Sequence, residues 1–103
     1  MMSIDVTTSD LDLLKGILGN YVPKYEVKAF GSRVQGTANV TSYLDLVIMT
    51  DKPLDTLKMA CLKDELTESQ LPFKVDIIDW ASTSDAFKKI ISRQAIPLLA
   101  VSR

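Results

Sequence analysis

Ala29-Phe30-Gly31-Ser32, followed after ten residues by Tyr43-Leu44-Asp45, sets the architecture of this chain. The spacing predicts the end of one β-strand, a tight turn, a polar loop and a second strand that carries an acid. Glycine at such a turn lets the backbone approach a ligand closely, because no Cβ stands in the way. The N–H groups that follow the turn, with the Ser32 hydroxyl, are expected to face an anion such as a phosphate.

Two acids lie within apolar strand sequences, Asp45 in the segment 44–48 and Asp76 in the segment 75–79. An acid in such a run is buried at a cost, exposed on an open sheet face or bound to a ligand. A solvated sheet face is the simpler interpretation of either acid alone. Together they can face one side of the sheet, opposite the glycine turn, and hold Mg²⁺ there. Asp79 is out of step with Asp76, so we expect it to be structural.

Hydrophobic periodicity predicts three strands, over residues 24–30, 44–49 and 73–80. Between the first two, a short helix from Ser32 is expected to lead into an irregular polar loop. Longer helices are predicted after Ser9, after Pro53, and after Ser82 or Ser84. The element order indicates an α/β (α+β) fold, a single domain over residues 1–103, with a mixed sheet of three to four strands and helices mainly on one face.

The last predicted helix is followed by an almost wholly apolar tail, Ala95–Val101. We expect this helix to bury Phe87, Ile90 and Ile91, and Pro97 to end or kink it. The tail is interpreted as a final strand or helix of the core, with an exposed docking edge as the alternative.

Composition excludes several classes of function. The net charge of −1 gives no electrostatic footprint for nucleic acid or an anionic membrane. No apolar run has the length needed to span a bilayer. Cys61 is the lone cysteine and there is no histidine, so cysteine- and histidine-based zinc sites are excluded. The sequence therefore predicts a cytoplasmic protein whose metal, if it has one, is bound by oxygen.

The combined pattern resembles the minimal nucleotidyltransferases of the polymerase-beta superfamily, most of all the stand-alone antitoxins that pair with HEPN-domain ribonuclease toxins. The family pattern is Gly-Ser, ten residues, Asp-x-Asp, and a third acid on a later strand. The resemblance implies a polymerase-beta-like core that transfers AMP from ATP to a tyrosine of the toxin, using two Mg²⁺ ions, and a hetero-oligomer with that toxin. It implies that Gly31, Ser32 and Arg33 contact the nucleotide phosphates, and that Asp45 and Asp76 are the catalytic metal ligands.

Tyr43 departs from the family pattern. The first acid of Asp-x-Asp should stand at this position, two residues before Asp45 on the same face of the strand. A neutral phenol cannot replace a carboxylate on Mg²⁺, and its ring crowds the metal position. We therefore predict that the chain is inactive or severely slowed as an enzyme.

Three other functions remain open at this point. The fold could neutralise its partner by contact alone, with a vestigial site. It could be an accessory transferase domain that needs a separate substrate-binding chain. It could also bind a nucleotide without transferring it.

Overall fold

The computed structural model describes residues 4–39 and 41–100, and these form one four-stranded sheet with four α-helices. The elements in chain order are α1 (Thr8–Tyr21), β1 (Val27–Phe30), α2 (Ser32–Gln35), β2 (Leu44–Ile48), α3 (Thr56–Glu68), β3 (Val75–Asp79), a 3₁₀ turn (Trp80–Ser82), α4 (Asp85–Gln94) and β4 (Ile96–Leu99). The strand order is β3-β2-β1-β4. Only β2 and β3 are parallel, so the sheet is mixed, as predicted.

One face of the sheet is covered by α1 and α3. Alternate residues of the strands turn towards these helices, so Ala29, Leu46 and Ile77 are almost fully buried there. Leu14 of α1 and Leu62 of α3 meet them in the same cluster. The prediction of helices mainly on one face is confirmed by this packing, and it leaves the opposite face free for the acids.

The opposite face is only partly covered, by α4. Ile91 of this helix packs on Phe30 and Val47, whereas Phe87 and Ile90 remain 39% and 49% exposed. The predicted buried stripe is therefore wrong for these two residues. Since the acids of β2 and β3 lie on this same face, α4 has only a small apolar area against which to bury its side chains.

The helix starts differ from the sequence prediction at two of three positions. α1 is capped by Thr7 rather than Ser9, since the Thr7 hydroxyl accepts the N–H three residues on at 3.1 Å. α3 begins later than the position after Pro53, because the Asp55 carboxylate makes the equivalent cap at 3.0 Å. The Ser84 cap of α4 is confirmed.

The apolar tail forms β4, at the edge of the sheet beside β1. α4 ends at Gln94, so the prediction that Pro97 ends or kinks this helix is wrong. Pro97 lies inside the edge strand, where a residue without an N–H is tolerated. The interpretation of the tail as a final strand is confirmed for Ile96–Leu99, and Val101 lies outside the described residues. Over the described ranges, the structure holds no helix long and apolar enough to cross a membrane.

Candidate functional site

Asp45 and Asp76 lie side by side on the open face of the sheet. They are register partners on the parallel strands β2 and β3, whose backbones run about 4.8 Å apart. Their chain neighbours Leu44, Leu46 and Ile77 are buried on the other face, so both carboxylates point away from α1 and α3. Asp45 is half-buried and Asp76 is exposed. The structure thus brings together the two acids that the sequence predicted to meet.

The electrostatics of this pair is unfavourable without a cation. Burial raises the pKa of the Asp45 carboxyl above its ordinary value, and the negative charge of Asp76 raises it further. A divalent cation bound between the two would remove the repulsion and favour the ionised form of both. The paired acids therefore suit a metal ion.

Replacing Asp45 by Asn is expected to change how stability depends on pH. Since the pKa of Asp45 is higher in the folded than in the unfolded chain, the folded state binds the proton more tightly. Wild-type stability should therefore fall as the pH rises from about 4, the ordinary value for aspartate, through the raised pKa. Asp45→Asn removes this loss, so its melting temperature should exceed that of the wild type above this range. Thermal melts from acid to neutral pH measure the effect, with Asp12→Asn on the exposed side of α1 as the control. Identical profiles for the two variants would contradict the prediction.

Gly31 joins β1 to α2 in a conformation that other residues rarely adopt. Its φ of 84° and ψ of −161° lie in a region that is essentially restricted to glycine. A Cβ at this position would press into the Asp45 carboxylate. The Gly31 carbonyl accepts the N–H groups of Val34 and Gln35 at 3.0 and 3.1 Å, which starts α2. The turn and the acid are thus in direct contact, whereas the sequence predicted only that the acids lie opposite the turn.

The Gly31 N–H is held by a residue that the sequence did not indicate. Gln94, at the end of α4, accepts this hydrogen bond through Oε1 at 2.6 Å. The two residues are 63 positions apart, and no pattern in the chain marks their contact. Only the tertiary structure therefore shows that Gln94 belongs to the site.

Arg33 and Ser32 are placed differently from each other. Arg33 was predicted to be a phosphate contact, but its side chain is 8% exposed and already engaged. Its Nη1 donates to the Asp5 carbonyl at 2.8 Å, and its Nε donates to the Ser42 carbonyl at 3.0 Å. The guanidinium also stacks on Phe73, 4.6 Å from the centre of the ring. These contacts give Arg33 a role in holding the loop and the N-terminal segment. Ser32 is the first residue of α2 and is half-buried.

Tyr43 directly precedes β2. It comes two residues before Asp45, and its side chain is 48% exposed. The Nζ of Lys74, which precedes β3, lies 5.8 Å from the centre of the Tyr43 ring. The position next to the paired acids thus carries a phenol and an ammonium group. A cleft of about 720 Å³ opens beside Tyr43 and Lys74, and its other walls are Thr41, the end of α3 and the segment 71–75, so that neither Asp45 nor Asp76 lines it.

The donor set fits one metal ion better than two. Among the described residues, no group of three or more acids, histidines or cysteines is close enough to share a metal. Asp45 and Asp76 supply carboxylate oxygens, which suit Mg²⁺. Asp79 does not join them, because its Oδ2 accepts the Leu54 N–H at 2.9 Å and the Ser82 hydroxyl at 3.1 Å. The predicted structural role of Asp79 is confirmed by these bonds.

Comparisons with known proteins bear on the family and the fold. The family model "Polymerase beta, Nucleotidyltransferase" matches residues 14–103. A "Probable protein adenylyltransferase MntA" of Haemophilus influenzae is 47% identical over 90 residues, which cover 87% of this chain and 79% of that protein.

Solved structures of toxin–antitoxin complexes share the fold. A crystal structure of a toxin–antitoxin with AMP-PNP superposes with a TM-score of 0.74 at 24% identity, over 91% of this chain and 74% of that one. A tri-AMPylated Shewanella oneidensis HEPN toxin in complex with its MNT antitoxin gives a TM-score of 0.68 at 20% identity, over 89% and 71% of the two chains.

Proposed function

This chain belongs to the polymerase beta nucleotidyltransferase family, and on that premise we propose that it is an antitoxin that transfers AMP from ATP to a tyrosine of a HEPN-type ribonuclease toxin. In this reaction the tyrosine oxygen attacks the α-phosphorus of ATP, the bond to the β-phosphate oxygen breaks, and pyrophosphate leaves. The phenolic proton passes to a carboxylate of the site or to water. The modified toxin is silenced, and the two proteins form a hetero-oligomer in the cytoplasm.

The observation that carries the proposal is the contact between the Gly31 turn and the Asp45 carboxylate, with Asp76 beside it. A turn without a Cβ next to paired acids can hold a triphosphate and its metal at one point. The relatives support the substrates, since one is named as a protein adenylyltransferase and one complex contains an AMPylated HEPN toxin. AMP-PNP in another related complex supports ATP as the nucleotide.

Asp45 and Asp76 are the residues that would hold Mg²⁺. The ion supplies charge neutralisation for the phosphates when it is bound. With Tyr43 in place of a third carboxylate, we propose that metal binding is weakened and that transfer by this chain is severely slowed. Burial and the charge of Asp76 both raise the pKa of Asp45, and a cation at this pair would relieve the repulsion between the two carboxylates.

The experiment is the intact mass of the cognate HEPN toxin after incubation with this chain, ATP and Mg²⁺. We expect a slow gain of whole AMP units that is lost on chelation, and that Mn²⁺ but not Zn²⁺ restores, given the all-oxygen ligands. A gain that Zn²⁺ alone supports would contradict the proposed site.

A second candidate is neutralisation by contact alone, and Tyr43 is the observation that favours it. A chain with only two of three metal carboxylates can still retain the surface that binds its partner. The test is cleavage of RNA by the toxin in the presence of this chain but without ATP. Protection of the RNA by an unmodified complex would favour contact, whereas protection only after AMP transfer would favour the enzyme.

A further inference from the structure

The end of α4 is joined to the Gly31 turn by a single side-chain hydrogen bond. Gln94 Oε1 accepts the Gly31 N–H at 2.6 Å, in a partly buried position. A shielded donor that loses its partner is costly, because water cannot fully replace the bond. The contact therefore fixes the turn more firmly than an exposed bond of the same length would.

The helix that carries Gln94 is itself anchored to the open face of the sheet. Ile91 is 1% exposed and packs on Phe30 and Val47. The Phe87 ring meets the Phe30 ring edge-on, with 5.8 Å between the ring centres. The Ala95 N–H closes the helix on the Ile91 carbonyl at 2.8 Å. The Gln94 amide is thus held in place by α4, which packs on β1, the strand that leads into the turn.

Three contacts together define where Gly31 lies. Gln94 accepts its N–H, the Val34 and Gln35 N–H groups donate to its carbonyl, and the Asp45 carboxylate fills the place where its Cβ would stand. Only the first of these contacts comes from outside the strand–turn–strand unit. Gln94 therefore links the turn itself to α4, whereas Arg33 links the following helix to the Asp5 carbonyl and the Phe73 ring.

We propose that Gln94 is a positioning residue for nucleotide binding. It occupies the N–H of Gly31, a residue that the family resemblance assigns to the phosphates, and it holds the turn against Asp45 so that Ser32 and the metal carboxylates face the phosphates together. This inference rests on the proposed function for the identity of its ligand, a nucleoside triphosphate with Mg²⁺. Gln94 itself need not touch the nucleotide.

The test compares three variants of the full chain. Gln94→Met keeps the length of the side chain and removes the acceptor, Gln94→Glu keeps an acceptor, and Gln70→Met makes the same exchange at an exposed glutamine beyond α3. The first readout comes from NMR of the chain without nucleotide. It measures the chemical shift of the Gly31 amide proton and the rate at which this proton exchanges with solvent. The second is the affinity for Mg²⁺ and AMP-PNP by calorimetry, and the third is the melting temperature.

We expect Gln94→Met to move the Gly31 amide resonance upfield and speed its exchange, while Gln94→Glu and Gln70→Met leave the exchange slow. The affinity for Mg²⁺ and AMP-PNP should fall about three- to tenfold in Gln94→Met. This is the loss of affinity that corresponds to the net free energy of one ordinary hydrogen bond. The melting temperature of Gln94→Met should fall by roughly 5–15 °C because a shielded donor loses its partner, and the chain should stay folded at the temperature of the binding assay, so that the loss of affinity reflects position and not unfolding.

Each contrary outcome overturns the inference in a recognisable way. Unchanged Gly31 exchange in Gln94→Met means that the bond does not hold the turn. Faster exchange with nucleotide affinity within twofold of the wild type means that the bond is structural only, and the proposed function then stands alone. If neither the wild type nor Tyr43→Asp binds AMP-PNP, the proposed function fails, and the role of Gln94 in nucleotide binding fails with it.

Discussion

Tyr43→Asp is expected to raise the rate of AMP transfer to the HEPN toxin by about 100-fold or more, the scale on which one charged or dipolar partner of a transition state acts. The substitution places a carboxylate two residues before Asp45, where the alternation of a strand would direct it to the face of Asp45 and Asp76. Three carboxylates, together with the charges of the triphosphate, can then hold two Mg²⁺ ions, whereas the two carboxylates present now suit one.

The surroundings of Tyr43 favour this gain. Tyr43 is 48% exposed directly before β2, so a smaller residue leaves no cavity in the core. Lys74 is close enough to stack on the Tyr43 ring and can pair with an introduced carboxylate when no metal is bound. The fold should therefore accept the change without loss of stability.

Tyr43→Asn is the matched control, because it has the size and polarity of the aspartate variant without its charge. Intact mass of the toxin, sampled over time with Mg²⁺ and ATP, measures all three chains. We expect AMP addition to accelerate with Tyr43→Asp only. Equal acceleration by Tyr43→Asn would mean that the phenol ring obstructs the site and that the missing charge is unimportant. Stable complexes with no transfer by any chain would favour neutralisation by contact.

Gly31→Ala is expected to lower the free energy of unfolding by about 1–3 kcal/mol, the cost of holding a residue with a Cβ in this backbone region. Its new methyl group also meets the Asp45 carboxylate, which must move aside. Because Asp45 is a metal ligand in the proposed site, binding of Mg²⁺ and AMP-PNP should fall below detection. Chemical denaturation and calorimetry measure the two effects separately.

Gly36→Ala separates backbone strain from the contact with Asp45. Gly36 ends α2 with a φ of 78°, yet no atom lies within 4 Å of the place where its Cβ would stand. This variant should lose about 1 kcal/mol of stability and keep its affinity for the nucleotide. Similar loss of nucleotide binding in both variants would show that strain around α2, and not the approach to Asp45, disables the site.

Local patterns in the sequence were sufficient to predict the acids and their strands. Alternation of apolar and polar residues has a period of two in a strand, so the side of the sheet that Asp45 and Asp76 face can be counted along the chain. The same count correctly separated Asp79 from the pair. The tight turn at Gly31 was also predictable, because a close approach of the backbone leaves no room for a Cβ.

The sequence by itself thus determined the mixed sheet, the glycine turn, the paired acids and the unusual Tyr43. Only the tertiary structure decided that Arg33 is buried among backbone carbonyls, that α4 leaves Phe87 and Ile90 exposed, and that Gln94 holds the Gly31 turn. The physical reason is the range of the interactions. Strand faces and turns follow from neighbouring residues, whereas the partner of a long polar side chain, or the area that a helix finds to cover, depends on segments brought together by folding.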